Sequence, residues 1–295
     1  MPRVEEKPRR RRRGIYILPT LFTIGTIFCG FYAVINAMKG EFDLASLALG
    51  FAVVCDGLDG RIARLTNSTS EFGVQMDSLA DVITFGLAPA VLAYIWGSKS
   101  IAPTIHPVAK HVQQIGWIVS FAFVICGAMR LARFNIQTTR PQPQNVPMSG
   151  KKDFVGMPIP AGAGLIAAII HFDPAPISHW SVAALWNILV GLLSFLMIST
   201  IRYPSFKHFD LKSRKSRLNF YLLALVIALI YLYSQVVLLM IATLYAGSGF
   251  VIKIVQLIKH RNDAIFRRID AGLLPPSHQS PRRFAATMRH RNSWR

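Results

Sequence analysis

Four aspartates, Asp56, Asp59, Asp77 and Asp81, lie close together in a chain that has only 14 acidic residues. Their spacing of three and four residues puts Asp56 and Asp59 on one face of a helix, and Asp77 and Asp81 on one face of the next. Carboxylates gathered in this way repel one another unless cations lie between them. Oxygen-only ligands suit Mg²⁺ or Mn²⁺, and two ions about 3.5–4 Å apart are the usual arrangement for phosphoryl transfer. We therefore predict a two-metal site built from the four aspartates.

Small residues and an arginine share the acidic face of the first of these helices. Gly57, Gly60 and Ala63 remove side-chain bulk, so that a flat nucleotide base could lie against the helix. Arg64 could then meet the phosphates of that nucleotide with its fork of donors. The alternative is a structural salt-bridge cluster, in which Arg61 and Arg64 neutralise some of the aspartates. Such a cluster does not need four acids beside a glycine-cleared face.

The composition indicates an integral membrane protein. Of the 295 residues, 52% are hydrophobic and only 16% are charged, and the mean hydropathy is +0.39. The net charge of +19 comes from basic residues in the tails and in alternate loops rather than from a continuous binding face, so we expect no nucleic-acid partner. The three cysteines all lie in apolar segments and lack the spacing of a zinc site or a disulfide framework.

Apolar segments of about the length of a membrane span recur along the chain and predict an all-α, polytopic helix bundle of about eight spans. The predicted spans are 16–38, 44–65, 72–97, 115–134, 157–172, 180–202, 217–235 and 236–259, with the last two separated at Ser234-Gln235. An even number of spans puts nearly all lysines and arginines on one side, which makes both termini cytoplasmic. The aspartates then lie at the cytoplasmic ends of the second and third helices.

Basic tails flank the predicted membrane domain, which extends from 15 to 259. Residues 1–14 and 260–295 are polar and rich in arginine, and we predict that both are disordered and cytoplasmic. Their charge favours contact with anionic lipid headgroups at the membrane surface.

Two arginines end the fourth predicted span, in the sequence GAMRLARFN. Arg130 and Arg133 are three residues apart and therefore share a helical face near the cytoplasm. A charge within a span costs roughly 2.5–3.5 kcal/mol at the bilayer centre, which favours a functional role such as binding a phosphate or a carboxylate. The alternative is that both side chains extend to the lipid headgroups. Arg202, at the end of the sixth span, is a weaker candidate for headgroup contact.

The acidic stretch resembles the signature of the CDP-alcohol phosphatidyltransferase family. The pattern is Asp56-Gly57-x-Asp59-Gly60-x-x-Ala63-Arg64, then eight residues, Gly73, three residues, Asp77, three residues and Asp81, and every specified position agrees. The resemblance implies that an alcohol displaces CMP from a CDP-linked lipid, at a two-metal site inside a membrane helix bundle. It also adds Gly73 to the residues expected to bind substrate.

Further stretches resemble bacterial integral-membrane phosphatidylserine synthases over about residues 15–259. They read LPTLFTIGTIFCGFYA, DSLADVITFGLAPA, CGAMRLARFN, FVGMPIPAGAG and STIRYPSFK, in that order. The resemblance implies CDP-diacylglycerol and L-serine as substrates, a multi-pass location in the bacterial inner membrane with a cytoplasmic active site, and a homodimer. Thr20 and Thr26 stand where the subfamily usually has asparagine, so they keep a hydroxyl and lose an amide.

The resemblance and the motif chemistry together suggest a role for each candidate residue. The four aspartates hold the ions, and Asp81 also accepts the proton of the serine hydroxyl as its oxygen attacks phosphorus directly. Arg130 and Arg133 hold the lipid phosphate or the serine carboxylate. The cytidine and its phosphate lie against Gly57, Gly60, Ala63, Arg64 and Gly73.

Three alternatives remain open at this point. With the same chemistry, the acceptor could be glycerol 3-phosphate, an inositol phosphate or choline. The chain could instead be an ion-coupled membrane transporter, since intramembrane acids also bind coupling ions. Against this, the acids cluster at one membrane side and the chain does not show two similar halves. It could also be an inactive scaffold, which the complete set of four aspartates argues against.

Overall fold

The computed structural model describes residues 17–65, 71–101, 107–139, 154–203, 224–225 and 228–249, together with residue 252. Seven helices with defined bounds lie in this part of the chain. They are Ile17–Lys39 (α1), Phe42–Leu65 (α2), residues 71–99 (α3), Pro107–Thr139 (α4), Ile159–Phe172 (α5), Trp180–Ile198 (α6) and Ala228–Gly249 (α7). Two short strands, Phe154–Val155 (β1) and Arg202–Tyr203 (β2), pair antiparallel. The described residues are otherwise helical or in turns, which confirms the all-α prediction.

The third helix contains two wider turns. It is α-helical over Glu71–Asp81, π-helical over Val82–Leu87, α-helical over Ala88–Tyr94 and π-helical over Ile95–Lys99. Turns of the π type are rare and often lie at functional sites. The first one starts directly after Asp81, and within it Thr84 donates a hydrogen bond to the carbonyl oxygen of Thr26 on α1, at 3.1 Å. Any side chain at Gly30 would collide with Thr84, so α1 and α3 approach closely at this crossing.

Small residues bring the first two helices together. Ala33 and Ala37 of α1, and Ala45 and Ala52 of α2, are fully buried. Small side chains let membrane helices approach each other closely, and this packing replaces much of the hydrophobic driving force. Gly40, with a φ of +85°, makes the tight turn between the two helices. The second half of α2, which carries the acidic motif, therefore lies beside the first half of α1.

A second positive-φ glycine precedes α5. Gly156 has a φ of +83°, and a side chain there would collide with the carbonyl oxygen of Met197. Its N–H donates to the carbonyl oxygen of Ile201 at 2.8 Å, and the N–H of Met157 donates to that of Leu196 at 3.2 Å. The segment that leads into α5 is thus attached to the end of α6, and the backbone geometry requires the glycine of the stretch FVGMPIP.

Five helices among the described residues are long and apolar enough to cross a membrane. They are Thr20–Lys39, Phe72–Lys99, Val108–Gln137, Trp180–Ile198 and Ala228–Gly249. Helix α5 is apolar but shorter, and α2 has 24 residues with aspartates and arginines in its second half. Large apolar side chains such as Phe28, Leu185 and Phe195 are more than 60% exposed, as expected for surfaces that face lipid. The protein is therefore a polytopic helical membrane bundle.

The break predicted at Ser234-Gln235 is wrong, because α7 continues through both residues without interruption. Serine and glutamine cost a helix little, in contrast to proline. The polar side chain of Ser234 serves a contact between helices instead, since its hydroxyl lies 2.9 Å from Nε2 of His171 on α5. The count of eight spans, the domain limits at 15 and 259 and the nature of both tails depend on residues outside the described ranges, and they stay predictions.

Candidate active site

Helices α2 and α3 bring three of the four predicted aspartates together. Asp56, Asp77 and Asp81 each offer a carboxylate oxygen, and these atoms all lie within 4.8 Å of one another. The four-residue spacing puts Asp77 and Asp81 on one face of α3, and Asp56 approaches that face from α2. Asp59 lies almost one turn beyond Asp56 in α2, and its side chain is outside the described part of the structure.

Asp81 has an unsatisfied carboxyl oxygen. The side chain hydrogen-bonds to Asp56 and lies within electrostatic range of Asp77 and of Arg130 on α4. Its other oxygen, Oδ1, is buried and has no hydrogen-bonding partner among the described residues, and the same is true of Nε of Arg130. Since buried polar atoms are nearly always hydrogen-bonded, two such atoms at one place indicate a site for a bound group.

The donor set of this cluster fits a divalent cation. Three carboxyl groups lie so close together here that they could all be ionised only with a cation between them. All of the donors are oxygens, which are the ligands that hard ions prefer. Oδ1 of Asp81 adds a lone pair to which no described residue donates a hydrogen bond. Asp56, Asp77 and Asp81 could therefore hold a metal ion at the junction of α2 and α3.

The predicted cleared face is open in the structure. Gly57 and Gly60 are exposed on α2, next to Asp56 and in the turn that follows it. A Cβ atom added at Gly57 would meet no other atom within 4 Å, so packing between helices does not require this glycine. The helix surface at Gly57 is therefore uncovered.

For three further predicted residues, the structure describes only the backbone. Ala63 and Arg64 lie in the last turn of α2 and Arg202 lies in β2, and the side chains of all three are outside the described part of the structure. Gly73 lies in α3, one turn before Asp77, and therefore on the face of α3 that carries the aspartates.

The two arginines of α4 lie in different surroundings. Arg130 is half-buried and within electrostatic range of both Asp81 and Tyr245, a residue of α7. Arg133, three residues further along the helix, is exposed. Arg130 is therefore positioned to bind an anion next to the aspartates, whereas the role of Arg133 stays a prediction.

Two residues near the aspartates do not follow from the motif. Asn135 of α4 donates a hydrogen bond to the hydroxyl of Ser78 at 2.9 Å and so ties α4 to α3 next to Asp77. Tyr245 reaches Arg130 from α7, near the other end of the described chain. The sequence could have indicated Asn135, because this residue ends the stretch CGAMRLARFN. Tyr245 carries no such signal, because an aromatic residue in an apolar span most often packs against its neighbours.

Thr26 has a packing role in the structure. It is 2% exposed, and its hydroxyl donates to the carbonyl oxygen of Phe22 in the same helix, at 3.0 Å. Its own carbonyl oxygen accepts the hydrogen bond of Thr84. Because the hydroxyl is satisfied within α1, the loss of an amide at this position leaves no buried polar group without a partner.

The chain matches one protein family over more than half of its length. A model of the CDP-alcohol phosphatidyltransferase family matches residues 16–185. The chain belongs to this family. The family match includes the four aspartates and both arginines of α4, and it ends before α7.

Similar members of the family come from bacteria and an archaeon. A "CDP-diacylglycerol–serine O-phosphatidyltransferase" of Helicobacter pylori (strain ATCC 700392 / 26695) is 41% identical over 194 residues, which are 65% of this chain and 74% of that protein. A protein of the same name from Bacillus subtilis (strain 168) is 35% identical over 190 residues, 64% of this chain and 91% of its own. Another from Methanocaldococcus jannaschii is 33% identical over 194 residues, 66% of this chain and 77% of its own.

Proposed function

We propose that the protein transfers the phosphatidyl group of CDP-diacylglycerol to the hydroxyl of L-serine, forming phosphatidylserine and CMP. The observation that carries this proposal is the cluster of Asp56, Asp77 and Asp81 within electrostatic range of Arg130, in which the buried Oδ1 of Asp81 and Nε of Arg130 have no hydrogen-bonding partner among the described residues. Such a site combines a place for cations with a cationic group that binds an oxyanion, which a phosphoryl transfer needs. The name shared by the similar family members supports serine as the acceptor.

Asp56, Asp59, Asp77 and Asp81 would hold Mg²⁺ or Mn²⁺ as a pair of ions. When bound, such ions would supply positive charge for the diphosphate of the substrate and for the CMP leaving group. Gly57, Gly60, Ala63, Arg64 and Gly73 bind the cytidine and its phosphate.

The proposed reaction is a direct displacement at the lipid-linked phosphorus. Asp81 accepts the proton of the serine hydroxyl with its carboxylate, because a serine hydroxyl is a poor nucleophile near neutral pH without a positioned base. The serine oxygen forms the new bond to phosphorus, and the bond from phosphorus to the oxygen of CMP breaks. Arg130 and Arg133 hold the lipid phosphate or the serine carboxylate during the transfer. A single displacement predicts inversion at phosphorus.

The location of the site fits a substrate with a lipid tail and a polar head. We infer that the protein spans the bacterial inner membrane with both termini and the aspartates on the cytoplasmic side, where serine is available. The acidic part of α2 and the start of α3 lie at one end of the helices, so the diacyl tails can stay in the bilayer. We also infer that the basic tails contact anionic headgroups and that the protein is a homodimer.

The test of the proposed function is CMP release by the purified protein in detergent, with CDP-diacylglycerol and Mg²⁺ or Mn²⁺. L-Serine, glycerol 3-phosphate, an inositol phosphate and choline are offered one at a time. We expect turnover with L-serine alone, and its loss in Asp81→Asn. The matched control is Asp173→Asn, which makes the same chemical change at an exposed position after α5. Turnover with another alcohol instead of L-serine would show that this alcohol is the acceptor. No turnover with any acceptor, in a folded and metal-loaded sample, would exclude the proposed transferase activity.

A further inference from the structure

Helix α7 lies beyond the family match, which ends at residue 185, yet two sets of contacts attach it to the rest of the bundle. In its first half, Ser234 lies 2.9 Å from Nε2 of His171 on α5, and Nδ1 of the same ring lies 2.6 Å from Asp43 at the start of α2. The His171 ring at the centre of this network is only 6% exposed, whereas the Asp43 side chain at its edge is 48% exposed. The position of α7 is therefore determined by directional contacts as well as by apolar packing.

Serine, histidine and aspartate in this order also form the nucleophilic sites of many hydrolases. Here Ser234 lies in the interior of α7, where the backbone N–H groups are already bonded within the helix. The neighbouring backbone therefore cannot supply the donors that an oxyanion intermediate needs. We assign the network a positioning role in holding α7.

The second half of α7 is attached through Tyr203, the last residue of β2. The Tyr203 hydroxyl donates to the carbonyl oxygen of Ala246 at 3.5 Å, and its ring centroid lies 6.0 Å from that of Tyr245. A side chain at Gly249 would collide with the Tyr203 ring, so the two elements pack closely. Tyr203 is fully buried. These contacts determine where the Tyr245 ring lies.

Arg130 interacts electrostatically with Asp81 on α3 and with Tyr245 on α7. Its Nε atom is nevertheless buried without a hydrogen-bonding partner among the described residues. A desolvated guanidinium with an unused donor is a strong binding group for a phosphate or a carboxylate, and a neighbouring phenol can add one more O–H donor.

We propose that Tyr245 and Arg130 together bind one oxyanion of the substrates, so that a helix outside the family match completes the active site. The anion is the phosphate of CDP-diacylglycerol or the carboxylate of L-serine, and both present the same chemistry to a guanidinium and a phenol. This inference rests on the proposed function. Tyr245 is a binding residue in this scheme, and Asp43, His171, Ser234 and Tyr203 position the helix that carries it.

The test compares Tyr245→Phe with Tyr231→Phe, which removes the same hydroxyl from an 89% exposed position on the same helix. CMP release is measured with each substrate varied in turn while the other is saturating. We expect Tyr245→Phe to raise the KM of one substrate about tenfold, since a hydrogen bond to a charged group is lost, with kcat within about twofold. A raised KM for serine identifies the carboxylate, and a raised KM for CDP-diacylglycerol identifies the phosphate. Unchanged values for both substrates would overturn the proposal.

A binding measurement separates this inference from the proposed function. Thermal unfolding of the wild type and both variants is recorded in detergent, with and without CDP-diacylglycerol. Equal unfolding temperatures without ligand show that Tyr245→Phe folds normally. If the wild type releases no CMP with serine, the proposed function fails and only the phosphate remains as the anion. In that case, weaker stabilisation of Tyr245→Phe than of Tyr231→Phe supports the inference, and equal stabilisation refutes it.

Discussion

The two ends of the helix bundle use polar residues in opposite ways. At the acidic end, Asp56, Asp77 and Asp81 converge, and the buried Oδ1 of Asp81 and Nε of Arg130 have no hydrogen-bonding partner among the described residues. At the opposite end, polar side chains are paired with one another or with backbone carbonyl oxygens. Unsatisfied charged groups are costly in a membrane, so they are retained where a ligand binds, whereas paired groups hold helices together.

The opposite end illustrates the paired case. Ser98 donates to the side chain of Asn187 at 2.9 Å, and Asn187 donates to the carbonyl oxygen of Val112 at 3.1 Å. The indole of Trp186 donates to the carbonyl oxygen of Ala93 at 3.0 Å. Nε1 of Trp96 is an exception among the described residues, and it belongs to an uncharged ring that packs edge-on against the Trp186 ring, with the centroids 4.9 Å apart. These contacts join α3, α4 and α6 through uncharged groups.

Metal removal should have the largest effect, and only at the acidic end. We expect EDTA followed by desalting to reduce CMP release to background, because the clustered carboxylates then repel one another without a cation. Added Mg²⁺ or Mn²⁺ should restore turnover and raise the unfolding temperature, since a ligand that binds only the folded state stabilises it. The control is Asp56→Asn, in which the rise should be smaller. Full turnover in metal-free buffer would show that the aspartate cluster does not bind a metal ion needed for the reaction.

Asp81→Asn should have the next largest effect on turnover. It removes the proposed base and one metal ligand, so we expect turnover to fall by about 10³-fold, within the range for loss of a general base. In metal-free buffer, the unfolding temperature should stay the same or rise, because a carboxylate is removed from a cluster of like charges. Rates of CMP release and thermal unfolding on one preparation measure both. A clear fall in stability would mean that Asp81 belongs to a structural network like those of the opposite end.

Arg130→Lys should have a smaller effect than the aspartate change. The lysine keeps the charge and loses the planar fork of donors, so we expect the KM of one substrate to rise about tenfold. Arg133→Lys is the matched control, because it makes the same change at an exposed position of the same helix and should change KM less than threefold. Steady-state kinetics with each substrate varied distinguish the two. Equal effects would show that both arginines bind the same anion.

His171→Ala should have the smallest effect on catalysis and a measurable effect on stability. It removes the contacts to Asp43 and Ser234, and we expect a loss of about 1–3 kcal/mol in the free energy of unfolding. Turnover should change less than about twofold, because Tyr203 still attaches the second half of α7. Asp43→Asn should cost less, since the Asp43 side chain is 48% exposed. A large loss of turnover at full stability would assign the network to catalysis.

Local pattern was sufficient to predict the helices and the acidic motif. The predicted spans at 16–38 and 72–97 became helices at 17–39 and 71–99 because the length of an apolar run and its flanking polar residues limit a membrane helix directly. The wrong break at Ser234-Gln235 also came from local pattern. Two polar residues inside an apolar run predict a loop when the contact of Ser234 with His171 on another helix is not known.

The amino-acid sequence by itself determined which side chains of α2 and α3 share a face, because residues three and four apart on a helix are always neighbours. The tertiary structure decided what those faces meet. It placed Arg130 within electrostatic range of both Asp81 and Tyr245, and it left one atom of Asp81 and one of Arg130 without a hydrogen-bonding partner among the described residues. Contacts of this kind join residues that are distant in the chain, and they depend on how whole helices pack. Helical periodicity carries no information about that packing.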